Sequence, residues 1–428
     1  MKIFKNPPRE SWDEILKRPV MDTRELGATV EAILEDVQAN GDAALRRYSH
    51  EFERVDLDDF LVSEDEFLEA EAAVPDILKD AIDDAKSNIE KFHAIVEPER
   101  QVIETTKGVS CWTRSLPIEK VGLYVPAGSA PLFSTVLMLT IPAKLAGCRD
   151  IVMCSPPDSD GRVNAATLYA ARVCGATRVY KLGGAQAIAA MAFGTETVPR
   201  VYKIFGPGNQ FVTEAKLQVQ RTGVAIDMPA GPSEVAVLAD DSCVPAFVAA
   251  DILAQAEHGP DSQAILVTDS QFVIDEVMDA IETQIVSLPR RDIARAALTN
   301  SKAILVESID VGIDLMNEYA AEHLIIATRD AESVASRIEN AGSVFVGNFS
   351  CESAGDYASG TNHTLPTNGA ARAYSGVSVA SFMKTLTFQK LDEEGIRGLG
   401  PTIEVMAAAE GLDAHRRAVS IRREYVGS

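Results

Sequence analysis

Four of the six histidines in this chain stand beside acids or amides at helix ends or in loops, and chemistry is sought first among them. Gln255 and His258, in AQAEHGPD, are spaced i, i+3. That spacing puts both on one face of a helix's last turn, just before Gly259-Pro260 ends it. An imidazole and an amide oxygen so placed can share a zinc ion with a carboxylate from elsewhere, because zinc accepts mixed nitrogen and oxygen ligands; a histidine there can equally cap the helix. Glu322-His323 is an acid-base pair at the junction between DLMNEYAA, read as a helix, and LIIAT, read as a strand. Adjacent residues opening a strand point to opposite faces, so both serve one site only if that junction is irregular. Asp356 in SAGDYASG, His363 in TNHTLP, Glu410 in AAEGLD and His415 in LDAHRR are further titratable groups, each ambiguous when taken singly. His50 and His93 have no motif around them and are read as structural or surface residues.

Two glycine-rich turns follow apolar runs. Phe205-Gly-Pro-Gly-Asn209 comes after VYKI and Gly183-Gly184-Ala185-Gln186 after RVYKL, each before a helical stretch. Backbone amides at such strand-to-helix turns face anions, so a cofactor held across them at the sheet's carboxyl edge is one reading and a plain tight turn the other. Phe211 stands where the dinucleotide fingerprint needs its third glycine, so that fingerprint is not met. The six cysteines (111, 148, 154, 174, 243 and 351) form no C-x-x-C pair, which argues for reduced, mostly buried thiols. Cys111 and Cys148 are the candidates for a nucleophile that oxidises an aldehyde through a thiohemiacetal, but neither has a histidine in its motif to lower its pKa.

The elements that must position these residues change character along the chain. Its 428 residues suffice for two core domains with appendages. The first hundred residues read as successive helices, clearest over 75–95, where Ile77, Leu78, Ile82, Ala85, Ile89 and Phe92 recur at helical spacing behind an N1 proline. From about residue 120, short apolar runs alternate with helical ones: VGLYVP, IVMCSPP, RVYKL, VYKIF and VAID, then VAVLA, AILVTD, KAILVES, HLIIAT and SVFVGNF. That alternation predicts two α/β domains with parallel sheets. The Gly-, Ser-, Asn- and Thr-rich stretch 351–373 predicts a functional loop, and 411–424 a terminal helix. A formal charge of -23 with no basic patch disfavours nucleic acid. No run of 18 apolar residues and no apolar stretch near the N-terminus are found, so no membrane span or secretory signal is expected and the cytoplasm is the expected location.

Taken together, VGLYVPAGSAPLFSTVLML, KLGGAQAIAA, KIFGPGNQFVTEAK, the stretch from IDMPAGPSE through DILAQAEHGPDSQA, YAAEHL, GDYASGTNHTLPT and EGLDAHRRAV resemble the L-histidinol dehydrogenase family over nearly the whole length. The resemblance implies an NAD-dependent oxidation of L-histidinol to L-histidine through the aldehyde. It implies two doubly wound, incomplete Rossmann-like parallel-sheet domains with a helical N-terminal segment and a C-terminal helical tail. One Zn2+ per subunit would be held by Gln255, His258, Asp356 and His415, with the substrate completing the shell. Glu322 would activate water and His323 would act as general base. Ser233, His363 and Glu410, together with His323 and the metal ligands, would contact substrate, and Tyr124, Gln186 and Asn209 would contact NAD. The implied division is an arm (1–21), a helical part packed with the second α/β domain (22–115), the first α/β domain (116–233), the second (234–377), and a tail (378–428). In a homodimer that tail would complete the partner's site. Rival readings are a sister dehydrogenase for another primary alcohol and a zinc hydrolase in which Glu322 activates water without nicotinamide.

Overall fold

The computed structural model of the chain describes residues 1–19, 24–94, 101–127, 131–229 and 231–427. The expected boundary at 21/22, Ile95 at the end of an expected helix, and 128–130 of the VGLYVPAGSAPLF block lie outside the described residues. Along the chain run β1 (Lys2–Lys5), α1 (Trp12–Ile15), α2 (Arg24–Tyr48), α3 (Glu64–Ala73), α4 (Asp76–His93), β2 (Ile103–Thr106) and β3 (Val109–Pro117). Then come β4 (Lys120–Tyr124), α5 (Phe133–Ala146), β5 (Asp150–Ser155), α6 (Ala165–Cys174), β6 (Arg178–Lys181), α7 (Gly184–Phe193), β7 (Lys203–Phe205), α8 (Gln210–Gln220) and β8 (Ala225–Ile226). The next series is β9 (Glu234–Ala239), α9 (Pro245–Ala256), β10 (Gln263–Thr268), α10 (Gln271–Ile285), α11 (Arg291–Asn300), β11 (Lys302–Leu305), α12 (Ile309–Tyr319), β12 (His323–Ala327), α13 (Ala331–Ala335), β13 (Ser343–Val346) and α14 (Glu352–Tyr357). The chain ends with β14 (Met383–Leu391), α15 (Glu393–Ala409) and α16 (Asp413–Gly427). It forms two units, Met1–Ala94 with Ile118–Phe382, and Ile95–Pro117 with Met383–Ser428.

The first unit holds both α/β domains. Their sheets run β6-β5-β4-β7-β8 and β1-β11-β10-β9-β12-β13, with every pairing parallel. Counted from its own first strand, each domain has the order 3-2-1-4-5, a doubly wound sheet lacking the sixth strand. The runs EVAVLA and QAILVT are buried at every position, as strands covered by helices on both faces must be. Residues 2–5, expected to be an arm, add an edge strand beside β11.

The helical segment beginning near residue 22 packs on the first α/β domain and not, as expected, on the second. Leu26, Val30, Ile33, Leu34 and Val37 make a stripe on α2 that closes over the alanine-rich stretch Ala187 to Ala192 of α7 and over Val212, Ala215 and Val219 of α8. A face of alanines lets a helix approach closely enough to bury such a stripe. Likewise α3 packs on α6 and α4 on α5. In α4 the buried stripe is Ile82, Ala85, Ile89 and His93, with Pro75 at the N-cap and Ile77 and Phe92 exposed.

The second unit overturns the expectation of helix up to residue 115. There β3 pairs with β14 in antiparallel register from Met383↔Pro117 to Leu391↔Val109, and β2 flanks β3. Strands so distant in sequence leave no hairpin signal for a local pattern to reveal. Trp112 stacks on Phe388 with ring centroids 5.4 Å apart. The tail thus opens with a strand before its two helices. Asp392 caps α15 by accepting from Gly395 N at 2.9 Å, and Ser420 donates from α16 to Glu404 at 2.6 Å.

Candidate active site

The second α/β domain gathers its titratable residues where the end of α9, the start of β12 and the short helix α14 meet. Helix α9 starts with Pro245 in its first turn, buries Val248, Ile252 and Leu253, and so sends Gln255 inward in its last turn. Gln255 is fully buried, and among the described residues neither its Oε1 nor its Nε2 has a hydrogen-bond partner. His258 follows just past the helix end, its N–H donating to Gln255 O at 3.2 Å. His258 keeps an exposed surface, yet crowding by protein on its other sides lowers its pKa.

The junction between α12 and β12 is irregular, as a shared site for Glu322 and His323 requires. Ala320 ends α12 in the left-handed region at φ 53°, an uncommon conformation for a residue with a Cβ. Glu322 then lies outside the strand, and His323 opens it. Gly342 lets β13 run close below this corner, where a Cβ would meet the Glu322 carbonyl, and Ser343 N donates to that carbonyl at 2.9 Å. Glu322 Oε2 accepts from Glu234 N at 2.9 Å. Glu234 in turn is gripped by Arg18, whose Nη2 donates to its Oε1 at 2.8 Å and to Tyr319 O at 2.7 Å. The Arg18 guanidinium also lies over the Tyr319 ring, and the Tyr319 hydroxyl donates to Gln263 at 2.9 Å. Residues from the N-terminal arm, β9 and α12 therefore hold the acid in place.

His323 is buried among three carboxylates. Its Nδ1 lies 3.7 Å from Glu322 and 3.9 Å from Glu352, and its Nε2 lies 3.5 Å from Asp356. These are ion-pair separations, and among the described residues neither ring nitrogen has a full hydrogen bond. Burial alone would lower the His323 pKa, but the carboxylates outweigh it and raise it; burial pushes Glu322 and Glu352 up to about 8. The protonated imidazole is thus favoured while those charges stand uncompensated, unlike the neutral form that a general base needs.

Glu352 did not emerge from the sequence, although it lies i−4 to Asp356 and so shares its helix face. It is 1% exposed, and its Oε2 has no partner among the described residues. The short helix α14 packs on α9, and burial there pushes the Asp251 carboxyl up to about 6. His258, Glu352 and Asp356 each offer one donor atom within 4.8 Å of the other two. With the unpartnered Gln255 amide nearby in sequence, this oxygen-and-imidazole set fits a divalent cation such as zinc. The loop after α14 carries His363 to the first domain: its Nδ1 faces Asp356 O at 2.9 Å and its Nε2 faces Thr135 Oγ1 of α5 at 3.3 Å. Asn362 donates to Met138 O at 2.6 Å and anchors the same loop. Ser233, half-buried, directly precedes Glu234 at the start of β9. Glu410 and His415 belong to the second unit, where both are exposed, the first capping α15 and the second in the first turn of α16.

In the first domain the expected cofactor residues lie at the carboxyl ends of the strands. Tyr124, the last residue of β4, is buried, and its hydroxyl accepts from Gly184 N at 3.1 Å. Gln186 is buried in the first turn of α7. Asn209 caps α8 by accepting from Phe211 N at 3.0 Å and Val212 N at 3.1 Å. Gly206 has φ 127°, and a Cβ there would strike the Tyr124 carbonyl. The buried Lys216 pins this turn, donating to Gly206 O at 2.8 Å and pairing with Asp227 at 2.5 Å. Asn209 also lines a cavity of about 400 Å³ with Gly208, Pro229, Gly231, Pro232 and Asp261, a size and position suited to part of an extended ligand. Cys148 is buried, and burial pushes its thiol up to about 11, which suits packing and not nucleophilic attack.

The histidinol dehydrogenase family model matches residues 16–423. The chain is 57% identical over 426 residues to histidinol dehydrogenase of Bacteroides fragilis, with 100% of both chains covered. It is 54% identical over 414 residues to histidinol dehydrogenase of Xanthomonas euvesicatoria, covering 96% of this chain and 95% of that one. The crystal structure of histidinol dehydrogenase from Elizabethkingia anophelis matches with a TM-score of 0.98 at 54% identity, over 100% of this chain and 99% of that one.

Proposed function

The chain belongs to the histidinol dehydrogenase family, and from that premise we propose that it oxidises L-histidinol to L-histidine through L-histidinaldehyde, the last step of histidine biosynthesis. The observation that carries this reading is the convergence of His258 and Asp356 with Glu322, His323 and His363 at one corner of the second domain. When bound, zinc anchors the substrate's imidazole and amine and offsets the carboxylate charge around His323, and NAD+ accepts the hydride.

The chain's own residues then divide the work. Neutral His323 takes the alcohol proton as hydride leaves carbon, and acts again on the aldehyde hydrate. Glu322, held by the Glu234 N–H, activates the water that adds to the aldehyde between the two oxidations. His363, held between Asp356 O and Thr135, and Ser233 contact substrate from the two sides of the corner. Tyr124, Gln186 and Asn209 flank NAD in the first domain. Glu410 and His415 reach the site of the partner in a cytoplasmic homodimer, where His415 joins Gln255, His258 and Asp356 as a ligand of one zinc per subunit. The test is absorbance of NADH with L-histidinol as substrate: two NADH per histidinol consumed support the proposal, and hydrolysis without NADH or no turnover overturns it.

A further inference from the structure

We propose that Arg18 is a positioning residue for the step in which water adds to the aldehyde, holding Glu322 in place through Glu234 and the last carbonyl of α12. The inference rests on the reading of Glu322 given above and deepens it. Arg18 precedes Glu234 by 216 residues, yet its guanidinium meets that carboxylate side-on: Nε donates to Oε2, and Nη2 donates to Oε1 at 2.8 Å. The same Nη2 donates to Tyr319 O at 2.7 Å. Both partners bear on Glu322. Glu234 N donates to Glu322 Oε2 at 2.9 Å, and Tyr319 is the last residue of α12 before the left-handed turn at Ala320 that leads into Glu322. One planar group thus ties the start of β9 to the end of α12, the two pieces of backbone between which the acid is set.

His323 is held differently. It pairs in register with Val235 of β9 and with Ser343 of β13, so strands on both sides fix its backbone. Glu322 precedes that ladder, and its carboxylate accepts one hydrogen bond among the described residues, from Glu234 N. A shift at the start of β9 or the end of α12 therefore moves the acid more than the imidazole. The Arg18–Glu234 pair is buried, with side-chain exposures of 15% and 2%. Such a pair is often no more stabilising than apolar residues of similar volume, so stability by itself does not account for it. A side-on guanidinium fork fixes direction as well as distance, which an ammonium group cannot do. The fork is itself held on a second side: the guanidinium lies 4.0 Å over the Tyr319 ring, whose hydroxyl donates to Gln263 at 2.9 Å.

Rapid-mixing measurement of NADH on the full-length enzyme, with L-histidinol or L-histidinaldehyde as substrate, tests this. The proteins are the parent, Arg18→Lys, Arg18→Met combined with Glu234→Leu, Glu322→Gln, and Glu322→Gln combined with Arg18→Lys. Arg18→Lys keeps the charge and loses the fork, so kcat with the aldehyde should fall by roughly 10- to 100-fold at little change in KM, and the alcohol step should fall far less. Arg18→Met with Glu234→Leu should melt close to the parent yet stay slow on the aldehyde, a result that a merely stabilising pair does not give. In the Glu322→Gln background Arg18→Lys should add little, because its effect passes through the carboxylate already removed. If the folded Arg18 variants oxidise the aldehyde as fast as the parent, or if the Arg18 and Glu322 losses multiply, Arg18 does not act through Glu322 and the inference is overturned. If Glu322→Gln itself leaves the aldehyde step at the parental rate, the reading of Glu322 fails and this inference fails with it.

Discussion

Replacing Glu322 with Gln separates the two oxidations. Glu322 is 6% exposed, accepts the Glu234 N–H at 2.9 Å and stands 3.7 Å from His323 Nδ1. An amide of the same shape keeps the acceptor oxygen for Glu234 N but cannot take a proton from water. Burial already disfavours the charged carboxylate, so the neutral amide should leave the melting temperature unchanged or raise it. The step from aldehyde to acid should slow by about 10² to 10⁴, equivalent to roughly 3 to 5 kcal/mol of barrier. The alcohol step needs no water and should fall far less. Rapid-mixing measurement of NADH would then show a fast phase near one NADH per active site followed by a slow second phase, where the parent shows two in succession. Histidinaldehyde supplied directly should react at the slow rate. An equal loss with histidinol and histidinaldehyde in a normally folded variant would refute the division of labour between Glu322 and His323.

Four further outcomes follow from the same structure. Burial pushes Glu53 up to about 7 from 4.5 although Gly183 N donates to it at 2.7 Å, so the folded chain holds this proton more tightly than the unfolded one. The associated stability is complete below about pH 4.5 and is lost as pH rises through 7; Glu53→Gln should remove about 2 to 3 kcal/mol of that decline, read by urea unfolding at pH 5 and 7.5, and parallel pH profiles would exclude it. Arg18→Met leaves Glu234 buried without its partner and should cost about 3 to 5 kcal/mol, mostly recovered by adding Glu234→Leu; a urea-unfolding loss under about 1 kcal/mol would contradict the pairing. Cys111→Ser and Cys148→Ser should keep turnover within roughly a few-fold of the parent, and a large loss with fold and zinc content intact would revive covalent catalysis. Mixing His258→Ala with His415→Ala chains should restore on the order of one quarter of parental activity if each site draws one of these residues from each subunit, whereas no recovery after proven subunit exchange would place both in one chain.

Much of this protein was legible along the chain because its signals are local. Uninterrupted apolar runs such as EVAVLA and QAILVT announced buried parallel strands, and the i, i+3 spacing of Gln255 and His258 placed both at one helix end before any tertiary contact was known. The motif blocks pointed to the family, which the full-length similarity then showed. What remained hidden depended on residues far apart in sequence. The stripe on α2 announces that it must be covered, yet nothing in its period says by which domain; the alanine face of α7 decided that. The pairing of β3 with β14 joins segments about 270 residues apart, beyond the reach of any local pattern. Glu352 looks like a surface acid until the fold buries it beside His323, and Glu234 acquires its role only when Arg18 and Glu322 meet it from the arm and from the junction before β12. Periodicity reports which face of an element must leave water. Which side chains then share that dry space, and how their charges shift one another, is set by packing in three dimensions.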